Sequence, residues 1–228
     1  MTGTLWTLNA VSSVPSPTWD DYAHRLAALL QAVGDGLGGE VAWYSDRVAR
    51  GGSAAVSPSD AGRLQELIVE HQLRNDRGEV MPGAGSRPPL FGERTVPQGM
   101  SRLVMRPRLG ADDAPFTAHV EATEPPGYSI WSYPDQTVAG LVGKAMTAIG
   151  AAQAEILDDD VLGLFLEADL PVVGTHSYVP GPLDASRFPP GARQGPCGKG
   201  YLLIVPPGPT PEDTLERMRW VAAATGQA

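Results

Sequence analysis

An α+β fold, with a mainly antiparallel sheet and helices packed on one face, is predicted by the way strand-like and helix-like patterns share this chain. Apolar residues recur at helical spacing in four places, most regularly in Val138, Leu141, Val142, Ala145, Met146 and Ile149. Period-two alternation marks several short strands, and neighbouring strands are joined by connections short enough for hairpins. The 228 residues, 42% of them hydrophobic, suffice for one sizeable core, so residues 1–228 are taken as a single domain.

Leu5, Trp6, Leu8, Ala10 and Val11 make the first strand-like run, ending at Ser12 and Ser13. A helix is expected over 18–33. Ser16 is its expected cap, Pro17 its first residue, and Asp20 and Asp21 suit its positive end. Trp19, Tyr22, Leu26, Leu29, Leu30 and Val33 share its face, and Gly34 and Gly36 are expected to stop it. Residues 40–45 read as a strand. A second helix over 58–72 has Ser57 as its expected cap, with Leu64, Leu67, Ile68 and His71 on one side. Gly, Pro and Arg dominate residues 75–97, which read as a long loop.

Residues 101–108 and 116–123 read as strands joined by a hairpin connection over 110–115. In the second, Ala118, Val120 and Ala122 oppose Thr117, His119 and Glu121. The helix with the regular stripe follows over 136–150. Residues 154–157, 172–178 and 201–205 complete the expected strands, and 161–166 is a short apolar element. Residues 180–200 form a second Gly- and Pro-rich loop, and Thr210, Pro211 and Asp213 open a last helix over 211–224.

The formal charge is −9, with 26 acidic residues against 17 Lys and Arg. Direct nucleic-acid binding needs a basic patch, so this balance points away from it and towards a cationic partner. The single cysteine, Cys197, excludes a disulfide within the chain and a Cys-based metal cage. Neither a signal peptide nor a membrane-length apolar run is visible, so the cytoplasm is the expected location, without membrane contact.

His24, His71, His119 and His176 are scattered, and no pair has metal-motif spacing, so neither metal nor cofactor is expected. Cys197 sits in Gly195-Pro-Cys-Gly-Lys-Gly200. This run lacks the hydroxyl residue of a phosphate loop and leads into a strand, so it reads as a turn. The acids are more informative. Glu155, Asp158, Asp159, Asp160, Glu167 and Asp169 lie in a stretch with no basic residue between Lys144 and Arg187. Consecutive carboxylates point in different directions and make a poor metal cage. A solvated turn and a docking surface for a cationic partner both remain open. Trp131 and Tyr133, beside Pro125, Pro126 and Pro134, are either interface anchors or plugs over the core.

Several runs together resemble the immunity protein 52 family. These are Thr18-Trp-Asp-Asp-Tyr-Ala-His-Arg-Leu-Ala-Ala-Leu-Leu, Val41-Ala-Trp-Tyr, Leu64-Gln-Glu-Leu-Ile and Arg74-Asn-Asp-Arg-Gly-Glu-Val-Met. Two more follow, Val173-Gly-Thr-His-Ser-Tyr-Val and Gly198-Lys-Gly-Tyr-Leu-Leu-Ile. Order and spacing carry the resemblance across residues 18–205. It implies an α+β immunity protein of bacterial polymorphic-toxin and type VI secretion systems, one that binds a cognate toxin of restriction-endonuclease-like fold. One departure is the absence of a Trp from Glu155-Ile-Leu-Asp-Asp-Asp, where the family usually has one followed by acidic and proline residues. On this reading the protein has no catalysis of its own, and the acidic stretch with Trp131 and Tyr133 forms its partner site. The reading of different class is a small hydrolase using Cys197 or a His–Asp pair.

Overall fold

The structure is a computed structural model that describes residues 4–16, 18–45, 55–81, 83–112, 115–159, 161, 162, 164 and 173–226. In chain order these residues form β1 (Leu5–Ser12), α1 (Trp19–Leu37), β2 (Ala42–Tyr44), β3 (Ala55–Val56) and α2 (Ala61–Glu70). Next come β4 (Leu90–Val96), β5 (Gly99–Met105), β6 (Arg108–Leu109), β7 (Phe116–Thr123), α3 (Asp135–Ile149) and β8 (Gln153–Asp158). The chain then adds β9 (His176–Val179), β10 (Arg193–Cys197), β11 (Gly200–Ile204) and α4 (Pro211–Thr225). The strands make one sheet in the order β10-β11-β9-β8-β1-β7-β5-β4-β2-β3, with β6 also paired to β7. Every pairing among the described residues is antiparallel. This is the expected α+β class.

Register sorts the side chains. Trp6, Leu8 and Ala10 stand opposite Ala122, Val120 and Ala118 on one side, and opposite Asp158, Ile156 and Ala154 on the other. Successive residues of a strand face opposite ways, so these all point to one face, where they are buried with α1, α2 and α3. The stripe Val138, Leu141, Val142, Ala145 and Ile149 is buried there, as its spacing predicts. Leu202 and Ile204 join that core, whereas the alternate residue Leu203 packs with Val205 against Met218, Val221 and Ala222. The last helix, α4, therefore covers the opposite face at the β11 end, and α1–α3 hold the expected single side.

Several boundaries differ from expectation. Thr18 caps α1 by accepting from the Asp21 amide at 3.1 Å, while Ser16 donates its own amide to the Tyr22 hydroxyl; Pro17 lies outside the described residues. Gly34 and Gly36 do not end α1, which runs to Leu37 and stops at Gly38, with φ 76°. Gly36 instead lets two helices approach, since a Cβ there would stand 2.5 Å from Leu141 Cα. Asp60, not Ser57, caps α2, accepting from the Arg63 amide at 2.9 Å.

Both expected loops contain strands. Within 75–97, β4 buries Leu90, Gly92, Arg94 and Val96 in alternation. Its apolar pattern is broken by Gly92, which lies beneath the Trp43 ring, and by Arg94, a charge on the core side. Within 180–200, β10 pairs with β11 across the turn at Gly198 and Lys199. The strand expected over 101–108 is split into β5 and β6, with Pro107 between them. Residues 163, 165, 166 and 172 lie outside the described residues.

Two glycine substitutions should separate these effects. Gly36→Ala should lower the urea midpoint by the equivalent of about 1–3 kcal/mol, because the new methyl meets backbone. Gly140→Ala, where a Cβ meets nothing within 4 Å, should raise stability by about 0.5–1 kcal/mol through helix propensity. Equal effects at both positions would remove the close-approach explanation.

Candidate functional site

Those of the predicted acidic and aromatic surface residues that are described do not share one face of the sheet. Asp158 stands opposite Trp6, on the core face, and is only 4% exposed. Its Oδ2 accepts from Trp131 Nε1 at 2.6 Å. The fold thus brings Trp131 to the acidic run, as an internal partner of Asp158. The indole is half-buried and lies against His176, ring centres 4.7 Å apart. Burial, aided by the nearby Arg193 charge, lowers the pKa of His176 to about 3, so this imidazole is neutral in the core.

Tyr133 is 7% exposed, a plug over the core and not a surface anchor. Its hydroxyl donates to Glu124 Oε1 at 2.8 Å and accepts from Arg94 at 2.7 Å. Trp6 Nε1 donates to the same Glu124 oxygen at 3.0 Å, and Arg94 also donates to the Leu37 carbonyl at the end of α1. Burial first, then the Glu124 charge, raises the Tyr133 pKa, which keeps the hydroxyl protonated as this chain of donors requires. Glu124 is 1% exposed, so the network holds a buried carboxylate through directed donors.

Glu155 differs because it stands opposite Asn9 on the other face. Among the described residues, that face presents a line of polar groups from Arg106, just after β5, across β7, β1 and β8. Arg106 donates to Glu121, whose Oε1 also lies 3.1 Å from His119 Nε2. His119 Nδ1 lies 2.8 Å from Asn9 Oδ1, and the Asn9 side chain bonds Glu155 in turn. The Gly174 amide donates to Glu155 Oε2 at 3.0 Å. Burial opposes ionisation of Glu121, but His119 and Arg106 together hold its pKa below the ordinary carboxylate range. At Glu155 burial prevails over the Gly174 and Asn9 bonds and raises the pKa.

Asp159, next along the chain, is exposed. Asp160, Glu167 and Asp169 lie outside the described residues. No sequence pattern marks Asn9, Arg106 and Glu121 as site residues. Alternation in β7 does assign His119 and Glu121 to the solvent side, but their partners depend on strand register.

Cys197 is 2% exposed and its thiol donates to the Ala139 carbonyl at 3.3 Å. Desolvation pushes its pKa up to about 11, the reverse of nucleophile activation. It borders a cleft of about 720 Å³ between α1 and α3 whose described lining contains no histidine. Among the described residues no three His, Cys, Asp or Glu side chains are grouped as a metal site would require. No helix among them is long and apolar enough to cross a membrane. Neither protein-family models nor curated proteins give a match to the chain.

Glu124→Ala should cost about 1–3 kcal/mol for each stranded donor in denaturant unfolding, because it leaves the buried Trp6 Nε1 and Tyr133 hydroxyl without their acceptor. Glu124→Gln, which keeps an oxygen acceptor, should cost less. A separate expectation concerns acid pH. The depressed pKa of Glu121 contributes stability that is complete above the unfolded-state value and is lost as pH falls through the folded one. Arg106→Ala should move the Glu121 titration, followed by carboxyl carbon NMR, upward towards the ordinary range. An unmoved midpoint would leave the ion pair without energetic weight.

Proposed function

We propose that this chain is an immunity protein, acting in the cytoplasm of the cell that makes it by binding and blocking a cognate toxin. The toxin expected is a nuclease of restriction-endonuclease-like fold with an electropositive cleft. The observation that carries this reading is the ordered set of segments similar to the immunity protein 52 family. They fall on α1, β2, α2, the turn after α2, β9 and β11, the framework of an α+β fold of the kind the resemblance implies.

Charge supports it as well. The chain carries −9, and carboxylates, not amines, are what a nucleic-acid-binding cleft would meet. Among the described acids of that stretch, Glu155 and Asp159 are available for that role, since Asp158 is committed to Trp131. The hydrolase reading gains nothing from Cys197, whose buried thiol is held neutral.

Co-expression with the product of the adjacent gene should rescue growth, and the two proteins should purify together. In the purified pair, Glu155→Gln with Asp159→Ser should slow association and flatten its salt dependence while the fold survives. Failure of both rescue and co-purification would discard the toxin reading. Unchanged association rates across a salt series would move the interface elsewhere.

A further inference from the structure

Where β1, β8 and β9 approach the C-terminus of α4, the structure forms a partly open cavity of about 330 Å³. Asn9, Gln153, Glu155, Ser177, Tyr178 and Thr225 supply its polar lining. Glu155 is the only charged side chain among the described residues that line it. No Lys or Arg occurs between residues 144 and 187, the stretch that supplies the β8 and β9 side of the cavity.

Two features make this space electronegative. First, the carboxylate is held in place. Gly174 fixes one oxygen, and Asn9 turns its carbonyl towards His119 and its amide nitrogen towards Glu155. Second, α4 ends at the cavity wall, with Thr225 and Gly226 in the lining and no basic residue in its last turn. A helix C-terminus presents carbonyl oxygens and a partial negative charge, which favour a cation. Burial also raises the Glu155 pKa, a cost that a bound cation would relieve.

We propose that this cavity is a receptor for a guanidinium group, an arginine side chain offered by the partner protein. A planar fork with five donors can engage the carboxylate and the neighbouring amide, hydroxyl and carbonyl oxygens together, which a compact ammonium does less well. The identity of the partner rests on the toxin-binding reading. The preference for a cation rests on the cavity alone.

The test titrates the full chain with methylguanidinium chloride at constant ionic strength, following backbone amide NMR shifts. Saturable shifts are expected at Asn9, Glu155, Ser177 and Thr225, with methylammonium weaker and urea, the neutral isostere, without effect. Glu155→Gln should weaken binding by at least about tenfold. Ala152→Arg, at an exposed lining position, should fill the cavity with its own guanidinium and abolish binding with Glu155 intact. Unfolding curves confirm that each variant folds. Absent saturation, equal binding by urea, or wild-type affinity in Glu155→Gln overturns the receptor. A chain that binds methylguanidinium but gives no growth rescue keeps the receptor and loses the toxin. A chain that rescues without binding methylguanidinium loses the receptor alone.

Discussion

Strand register is the constraint from which the rest of this structure follows. β1 runs through the middle of the sheet, paired to β7 on one side and β8 on the other. Because side chains alternate, a slip of one residue would carry Trp6, Leu8 and Ala10 to the open face and bring Asn9 into the core. The native register does the opposite. It stacks apolar residues from three adjacent strands under α1 and α3, and leaves Asn9, His119, Glu121 and Glu155 as neighbours on the far side. The polar line is the other half of the pattern that makes the core.

The same alternation puts two charges on the core face, Arg94 in β4 and Glu124 just beyond β7. Buried ions are tolerated when donors and acceptors surround them. Here Tyr133 is interposed, accepting from one and donating to the other, and Trp6 supplies a second donor. That arrangement fixes more than the pair itself. It anchors the segment between β7 and α3, two residues from Trp131, and so helps place the indole between Asp158 and His176. The Leu37 carbonyl, reached by Arg94, ties the end of α1 to the same point.

Local patterns reveal much of this fold. The α3 stripe, the alternation of β7, and Thr210 with Pro211 at the start of α4 each depend on residues close in sequence, and each appears where the pattern places it. β4 is hidden because Arg94 occupies a buried position and finds its partners at residues 37 and 133. No periodicity marks an apolar site filled by a charge whose acceptors are so distant. The acidic run is only partly legible for a related reason. Asp158 and Asp159 are adjacent in sequence, yet one is buried against Trp131 and the other is exposed. Composition shows that carboxylates are gathered, and only the pairing of β8 with β1 shows which way each one points.

The two outermost strands have a consequence for behaviour at high concentration. An exposed strand edge is a template on which another chain can extend the sheet. At one end the described part of β3 has two residues, too short to guide such growth. At the other, β10 contains Pro196, which lacks the amide hydrogen needed to continue a ladder, together with Gly195 and the charged Arg193. A broad sheet that ends in one very short strand and one interrupted by proline is poorly suited to polymerise edge to edge. Among the described residues, the sheet thus offers little template for fibrils grown from the folded state.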